Sequence, residues 1–263
     1  MEFKTLKYAF ADGVAEITLD RPDAANALDL QMSLDLAKVA NHCDANPAVR
    51  AVILTATGKL FCGGGDVMSF AAAGDGLGEL VRDMTTAFHS AVSRFTRMNA
   101  PLVVGVNGTA AGAGLSMVLV GDIIVSAESA KYTVAYTGIG AAPDGSMSFF
   151  LPRIVGALKA KQMILMNPRL TAADALAAGL VTEVVADDQV LARAREIARK
   201  LAAGPTQSHG AVKRLIADTF SNSLETQIEM EARGIAHLAE ATHDMKEGVA
   251  AFAAKRTPTF QGK

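Results

Sequence analysis

The N-terminal part of the chain contains two short segments in which apolar and polar residues alternate, at residues 3–10 and 14–19. Alternation with a period of two is typical of a half-buried β-strand, and Asp12-Gly13 between the segments is a turn sequence. The pattern therefore predicts a β-hairpin. Residues 28–42 then carry apolar side chains at helical spacing, and Asn46-Pro47 ends this predicted helix.

The middle of the chain repeats one order of elements, in which an apolar run of strand length is followed by a glycine loop and then by a helical pattern. Further short strands are predicted after the second repeat. The apolar runs are residues 49–55 and 102–106, the glycine loops are residues 63–65 and 108–114, the helical patterns are residues 80–98 and a segment ending at 120, and the further strands are residues 123–125 and 132–134. Strands that alternate with helices predict an α/β fold.

From residue 170 onward the pattern is mostly helical. Ala203-Gly204-Pro205 is the strongest linker signal in the chain, because glycine and proline both interrupt regular structure. We therefore divide the chain into a core at residues 1–204 and a helical region at residues 205–263. Three helices are predicted within the second region, at residues 211–220, 224–240 and 245–254.

Composition narrows the class of protein. The chain has 263 residues, of which 50% are hydrophobic and 20% charged, and its formal net charge is −2. These values exclude a disordered chain, and the scattered basic residues favour neither a nucleic-acid partner nor a membrane surface. The two cysteines, Cys43 and Cys62, cannot form a disulfide framework, and no Cys/His cluster has the spacing of a metal site. No segment has the pattern of a signal peptide or a membrane span, so we expect a cytoplasmic protein.

The two glycine loops are the candidate functional elements. They read FCGGGD at residues 61–66 and NGTAAGAG at residues 107–114. Residues without bulky side chains let a ligand approach backbone N–H groups, and the N-terminus of a following helix attracts negative charge. Either loop could therefore bind a carbonyl oxygen or an anion. Tight turning between a strand and a helix is the structural alternative.

Other glycine-dependent sites are not supported by the sequence. GDGLG at residues 74–78 lacks the spacing and the preceding strand of a dinucleotide-binding fingerprint, and no phosphate-binding P-loop sequence occurs. Ser116 lacks the closing glycine of a hydrolase nucleophile elbow. The Ala- and Gly-rich residues 71–78 predict instead a mobile loop near the entrance of a site.

Several motifs together resemble one known family along essentially the whole chain. They are FCGGGD, PLVVGVNGTAAGAGLSMVLVGDIIV, AKYTVAYTGIGAAPDG, LPRIVG, AADALAAGLV and the terminal EGVAAFAAKR. Their order is similar to that of the crotonase superfamily of enoyl-CoA hydratases and isomerases. The resemblance implies a ββα spiral core with a C-terminal helical trimerisation region, assembled as a homotrimer or a dimer of trimers. It also implies an acyl-CoA thioester substrate and no separate cofactor, since coenzyme A is part of the substrate.

The resemblance also assigns roles to individual residues. The two backbone N–H groups of the family's oxyanion hole correspond to Gly65 and Ala113, and two such donors stabilise the charge of a thioester enolate. Asp66 has a structural alternative, which is to cap the helix that follows it. Contacts with coenzyme A or the acyl group are expected from Ala24, Ala25, Gly65, Asp66, Val67, Met68, Tyr136, Phe252 and Lys255.

The type of reaction depends on the acids and bases near the thioester. The two glutamates of family hydratases correspond here to Ser116 and Tyr136, and neither side chain is an ionised base at neutral pH. Asp144, in Pro143-Asp144-Gly145, resembles the single carboxylate of Δ3,Δ2-enoyl-CoA isomerases and of the ring-opening isomerase of phenylacetate catabolism. One carboxylate suffices for an allylic shift, so enoyl-CoA isomerisation with Asp144 as the base is the first hypothesis. A turn residue after Pro143 is the structural alternative.

His89 is the second candidate for chemistry. Dehalogenases that act on 4-chlorobenzoyl-CoA carry a histidine at the matching place together with an aspartate that matches Asp144. An ordinary packed histidine on the predicted helix is the structural alternative. Three other functions stay open at this stage: an enoyl-CoA hydratase, a dehalogenase-like enzyme and a non-catalytic binder of coenzyme A thioesters.

Overall fold

The computed structural model describes residues 1–263 and contains ten β-strands in two sheets together with eleven α-helices. The strands are β1 (Leu6–Ala11), β2 (Val14–Leu19), β3 (Ala51–Ala56), β4 (Leu60–Cys62), β5 (Leu102–Val106), β6 (Thr109–Ala111), β7 (Ile123–Ala127), β8 (Lys131–Thr133), β9 (Leu170–Thr171) and β10 (Glu183–Val185). The helices are α1 (Leu30–Ala45), α2 (Val67–Ala73), α3 (Leu77–Arg97), α4 (Ala113–Leu119), α5 (Met147–Val155), α6 (Ala157–Met166), α7 (Ala172–Ala177), α8 (Val190–Ala202), α9 (Thr206–Asp218), α10 (Leu224–Ala241) and α11 (His243–Ala253).

The larger sheet has six strands in the order β1-β2-β3-β5-β7-β10. β1 and β2 form the predicted antiparallel hairpin, and Asp12 and Gly13 at its turn have φ angles of 51° and 77°. Two consecutive positive φ angles match a tight two-residue hairpin turn. The other strands pair in parallel, and β5 is fully buried, which explains its continuous apolar sequence.

The smaller sheet has the order β4-β6-β8-β9 and carries both glycine loops. β4 leads directly into residues 63–65, and the short strand β6 lies inside the second loop, immediately before Gly112 and α4. β4 and β6 pair in parallel. Since parallel neighbours end at the same edge of a sheet, the two loops emerge side by side.

The sequence prediction for residues 71–78 is wrong. The segment contains the end of α2, a single 3₁₀ turn at Gly74–Gly76 and the start of α3 at Leu77. Alanine favours the helix, and Gly74, with a φ of 51°, ends α2. Helices α5 and α6 were also not predicted: α5 contains Pro152, which usually interrupts a helix, and the apolar residues of α6 show only a weak helical period.

The three helices predicted after the linker are confirmed, and α9 begins five residues earlier than expected, at Thr206 rather than 211. Lys213 joins α9 to the core: its Nζ donates to the carbonyls of Phe95 and Ala100 and lies 2.8 Å from Asp122 Oδ2. α10 contains no buried residue. None of the eleven helices combines the length and the apolar character that crossing a membrane requires.

Candidate active site

The two glycine loops touch each other through their backbones. A Cβ atom on Gly64 would lie 3.0 Å from the carbonyl oxygen of Ala111 and 3.5 Å from Cα of Gly112. Gly64 and Gly112 also have positive φ angles, of 102° and 52°. A side chain at Gly114 would overlap the carbonyl group of Cys62. Close approach and backbone conformation therefore both require glycine here.

Two residues with unpartnered backbone N–H groups, one from each glycine loop, line the same cavity. Leu28 donates its N–H to the carbonyl of Gly64 and accepts the N–H of Asp66, both at 2.7 Å, so the N–H of Gly65 between them has no partner in the chain. Ala113 is the first residue of α4, where backbone N–H groups lack intrahelical acceptors. Gly65 and Ala113 both line a cavity of about 300 Å³. Both residues therefore lie at the same cavity, and the pairing of their N–H groups on one oxygen atom stays a prediction of the sequence analysis.

The cavity is mainly apolar, and Asp144 is the only carboxylate that lines it. Phe70, Met84 and Phe88 contribute part of the apolar wall. The sequence analysis did not name these three residues. The sequence does contain a signal for two of them, because Met84 and Phe88 lie four residues apart on the apolar face of α3.

Asp144 belongs to a hydrogen-bonded cluster with Ser116 and Tyr136. The Tyr136 hydroxyl donates to Asp144 Oδ1 at 2.6 Å, and the Ser116 hydroxyl donates to the backbone oxygen of Asp144 at 2.9 Å. Ser116 Oγ and Tyr136 Oη are themselves 2.9 Å apart. Burial raises the pKa of Tyr136 and the neighbouring Asp144 carboxylate raises it further, so the hydroxyl keeps its proton.

His89 lies next to this cluster and outside the cavity lining. Its Nε2 accepts the N–H of Gly145 at 3.1 Å and is 3.7 Å from Asp144 Oδ2. A ring nitrogen that accepts a hydrogen bond carries no proton, so this geometry corresponds to a neutral imidazole with its proton on Nδ1. The side chain is half exposed.

The remaining sequence-predicted site residues separate into two groups. Val67 and Tyr136 line the cavity, and Ala25 lies against it, because its carbonyl accepts the N–H of Gly63 at 2.9 Å. Five residues do not line the cavity: Ala24, Asp66, Met68, Phe252 and Lys255. Ala24 lies in a 3₁₀ turn and Lys255 follows α11. The side chains of Met68 and Phe252 are 79% and 88% exposed.

Asp66 is confirmed as a helix cap. Its Oδ1 accepts the N–H groups of Met68 and Ser69 at 3.1 Å, and its Oδ2 lies 3.1 Å from Arg21 Nη2. Burial raises the pKa of Asp66, but the hydrogen bonds from Ser69 and Arg21 outweigh it, and the pKa lies below the ordinary value of an aspartate. Asp66 thus holds α2 and the first glycine loop to Arg21.

The comparison with known families covers almost the whole chain. The sequence model of the enoyl-CoA hydratase/isomerase family matches residues 9–263. The chain belongs to this family. Its α/β architecture with a helical C-terminal region is the crotonase fold, as the sequence motifs indicated.

Individual relatives of this enoyl-CoA hydratase/isomerase family enzyme carry different names. The 1,2-epoxyphenylacetyl-CoA isomerase of Escherichia coli (strain K12) is 34% identical over 95% of this chain and 96% of its own. The probable enoyl-CoA hydratase of Rhodobacter capsulatus is 36% identical over 100% of both chains. The crystal structure of an enoyl-CoA hydratase from Bacillus anthracis has a TM-score of 0.92 at 29% identity, over 99% of this chain and 100% of the other. Family membership therefore leaves isomerase and hydratase activity to be separated by the site itself.

Proposed function

We propose that the protein moves the double bond of an enoyl-CoA thioester from Δ3 to Δ2, with Asp144 as the base. One observation carries the proposal: Asp144 is the only carboxylate that lines a cavity to which Gly65 and Ala113 also contribute. An allylic shift needs a single base and a means of stabilising an enolate. The cavity offers both, and coenzyme A enters as part of the substrate without a separate cofactor.

The proposed reaction follows from the positions of these groups. The thioester oxygen accepts the N–H groups of Gly65 and Ala113, which stabilise negative charge when it develops there. Asp144 removes a proton from C2, and the electrons spread over the thioester and the former double bond as a dienolate. The protonated Asp144 then returns the proton to C4, which leaves the double bond between C2 and C3. The base ends in its starting state.

Hydration is the alternative, and the cluster around Asp144 argues against it. The two positions that match the hydratase glutamates hold Ser116 and Tyr136, which hydrogen-bond to each other and to Asp144. Neither hydroxyl can act as the second carboxylate that positions and activates a water molecule. Asp144 alone would have to do both tasks, so slow hydration of crotonyl-CoA is expected.

Dehalogenation is the second alternative. In that chemistry an aspartate attacks the aromatic ring and a histidine activates water. The Nε2 atom of His89 already accepts the N–H of Gly145, which leaves no free ring nitrogen of this residue beside Asp144. We therefore expect no chloride release from 4-chlorobenzoyl-CoA.

The decisive experiment follows three reactions of the purified protein in parallel. Conversion of 3-hexenoyl-CoA to 2-hexenoyl-CoA, hydration of crotonyl-CoA and deuterium exchange at C2 of butanoyl-CoA are each measured. Fast isomerisation with slow hydration supports the proposal, and fast hydration replaces it with the hydratase alternative. Binding of butanoyl-CoA without exchange or isomerisation would indicate a non-catalytic binder.

We further propose that the protein assembles as a homotrimer or a dimer of trimers through its C-terminal helices. Ile216 on α9 and Ile228 and Ile235 on α10 are 66%, 52% and 60% exposed. Apolar side chains this exposed on adjacent helices are typical of an interface between subunits. Ile235→Asp should therefore produce a monomer by sedimentation, whereas Glu231→Gln on the same helix should not. An Ile235→Asp protein that sediments like the parent contradicts this interface.

A further inference from the structure

The Asp144 carboxylate is held at one of its two oxygen atoms. Oδ1 accepts the Tyr136 hydroxyl at 2.6 Å, whereas Oδ2 has no hydrogen-bond partner in the chain. We infer that Tyr136 is a positioning residue that fixes Oδ1 and leaves Oδ2 as the oxygen that exchanges protons with the substrate. The inference rests on the proposed role of Asp144 as the base and adds which atom acts and what orients it.

The tyrosine hydroxyl is itself oriented by its surroundings. The Ser116 hydroxyl donates to the backbone oxygen of Asp144 and lies 2.9 Å from Tyr136 Oη, so it packs against the tyrosine oxygen where that oxygen reaches Oδ1. Ser116 is fully buried on α4, three residues after Ala113. One turn of helix therefore connects the proposed oxyanion donor to the group that orients the base. The Ser116 hydrogen bond thus ties the backbone of Asp144 to the helix that begins at Ala113.

The backbone around Tyr136 is also fixed. Ala135 has a positive φ of 61°, the N–H of Tyr136 donates to the carbonyl of Val134 at 2.8 Å, and its own carbonyl accepts the N–H of Ala141 at 3.1 Å. A non-glycine residue in the left-handed region is uncommon and is kept only where the surrounding structure holds it. This geometry aims the ring into the cavity wall, where the hydroxyl reaches Asp144.

The single hydrogen bond has a chemical consequence. A hydroxyl that donates to a carboxylate stabilises the ionised form, which is the form that removes the C2 proton. It also stops the carboxylate from rotating, so one oxygen both accepts the proton from C2 and returns it to C4 on the same face of the substrate. The titratable groups in contact with Asp144 are Tyr136 and, from α3, the neutral His89.

The test compares Tyr136→Phe with Tyr132→Phe. Tyr132 is a matched control, because it is also buried and donates a 2.6 Å hydrogen bond to Ser126 away from the cavity lining. Loss of a hydrogen bond to a charged group predicts that Tyr136→Phe lowers the rate of C2 deuterium exchange of butanoyl-CoA by about 10- to 100-fold. KM should change less than about twofold. The acidic limb of the pH profile of kcat should move to higher pH, because the ionised carboxylate loses its donor.

Tyr132→Phe should leave all three kinetic quantities unchanged. Retention of kcat and of the pH profile in Tyr136→Phe overturns the inference. A lower kcat that accompanies lower thermal stability, with the pH profile unmoved, also overturns it, because that result indicates a structural role only. Should Tyr136→Phe not fold, Ser116→Ala provides the test: it removes the hydroxyl that holds both the Tyr136 oxygen and the Asp144 backbone without touching the cavity lining, and a roughly threefold to tenfold loss with a smaller pH shift in the same direction is expected.

C2 exchange also separates this inference from the proposed function. A parent protein that exchanges C2 protons but does not isomerise 3-hexenoyl-CoA contradicts isomerisation, while the comparison of Tyr136→Phe with Tyr132→Phe still decides how Asp144 is oriented. A parent protein that isomerises, with Tyr136→Phe equally active, supports the proposed function and contradicts the positioning role.

Discussion

The two glycine loops and residues 135–145 line the same cavity with different parts of the chain. The loops present backbone groups: a Cβ on Gly64 would lie 3.0 Å from the Ala111 oxygen, and the positive φ angles of Gly64 and Gly112 disfavour other residues. Residues 135–145 contribute side chains, and the hydroxyl of Tyr136 reaches the carboxylate of Asp144.

This difference separates what the fold supplies from what the individual protein supplies. A backbone N–H is the same in every residue except proline, so a site built from the loops can persist while other residues change. A carboxylate or hydroxyl is set by single substitutions. We therefore expect the loops to determine that a thioester oxygen is bound and residues 135–145 to determine which reaction follows. Four predictions test this division.

The largest effect is expected for Asp144→Asn, which keeps the shape of the side chain and removes the base. Isomerisation of 3-hexenoyl-CoA should fall by about 10² to 10⁴, while the affinity for butanoyl-CoA stays within about twofold. Steady-state kinetics measure the isomerisation rate, and titration calorimetry measures the affinity for butanoyl-CoA. Asp75→Asn, in the exposed 3₁₀ turn, is the control and should match the parent. Full activity of Asp144→Asn would contradict the expectation that side chains of residues 135–145 determine the reaction.

The next largest effect is expected for Gly65→Pro, which removes the N–H of the first loop. Turnover should fall by about 10² to 10³ if this donor acts mainly on the developing enolate. Gly65→Ala keeps the N–H, and its Cβ would meet only the movable ring of Phe70, so it should retain most of the activity. Equal turnover in a folded Gly65→Pro protein would show that the donor is elsewhere.

A third prediction concerns ligand binding. Butanoyl-CoA should stabilise the fold by about 2.7 kcal/mol at a concentration one hundred times its Kd, whereas NAD should give no shift. Thermal unfolding measures both. At one fixed concentration of butanoyl-CoA, the stabilisation should persist in Asp144→Asn and fall slightly in Gly65→Pro, because the Gly65 N–H is expected to contact the thioester oxygen of the bound substrate as well as the enolate. Loss of the stabilisation in Asp144→Asn with full stabilisation in Gly65→Pro would contradict the expectation that the loops bind the thioester.

The smallest effect is expected for Gly64→Ala. Its φ of 102° and the 3.0 Å distance from a new Cβ to the Ala111 oxygen predict a loss of about 1–2 kcal/mol in the free energy of unfolding. Gly138→Ala is the matched control, since its Cβ would meet nothing within 4 Å. Urea unfolding distinguishes the two variants. A Gly64→Ala protein as stable as the Gly138→Ala protein would show that the loops tolerate side chains.

Much of the fold was predictable because the local residue pattern and the burial of each side chain favour the same secondary structure. The hairpin turn at Asp12-Gly13, the strand β5 and the three C-terminal helices follow from residue patterns of a few to about twenty residues. The segment at 71–78 was not predictable in this way. Its glycines indicate a loop and its alanines a helix, and contact with α3 favours the helix.

For the site too, the sequence determines the chemical groups that are present, and the tertiary structure determines which of them meet. The sequence specifies which residues have no side chain, which one carries a carboxylate and which carry hydroxyls, because these are properties of single residues in motifs. It does not specify that Ser116, Tyr136 and Asp144 lie within 2.9 Å of one another, or that Oδ1 is engaged and Oδ2 free. Those facts arise from the packing of α4 against residues distant in the chain, since hydrogen bonds of this length depend on tertiary positions that no local pattern encodes.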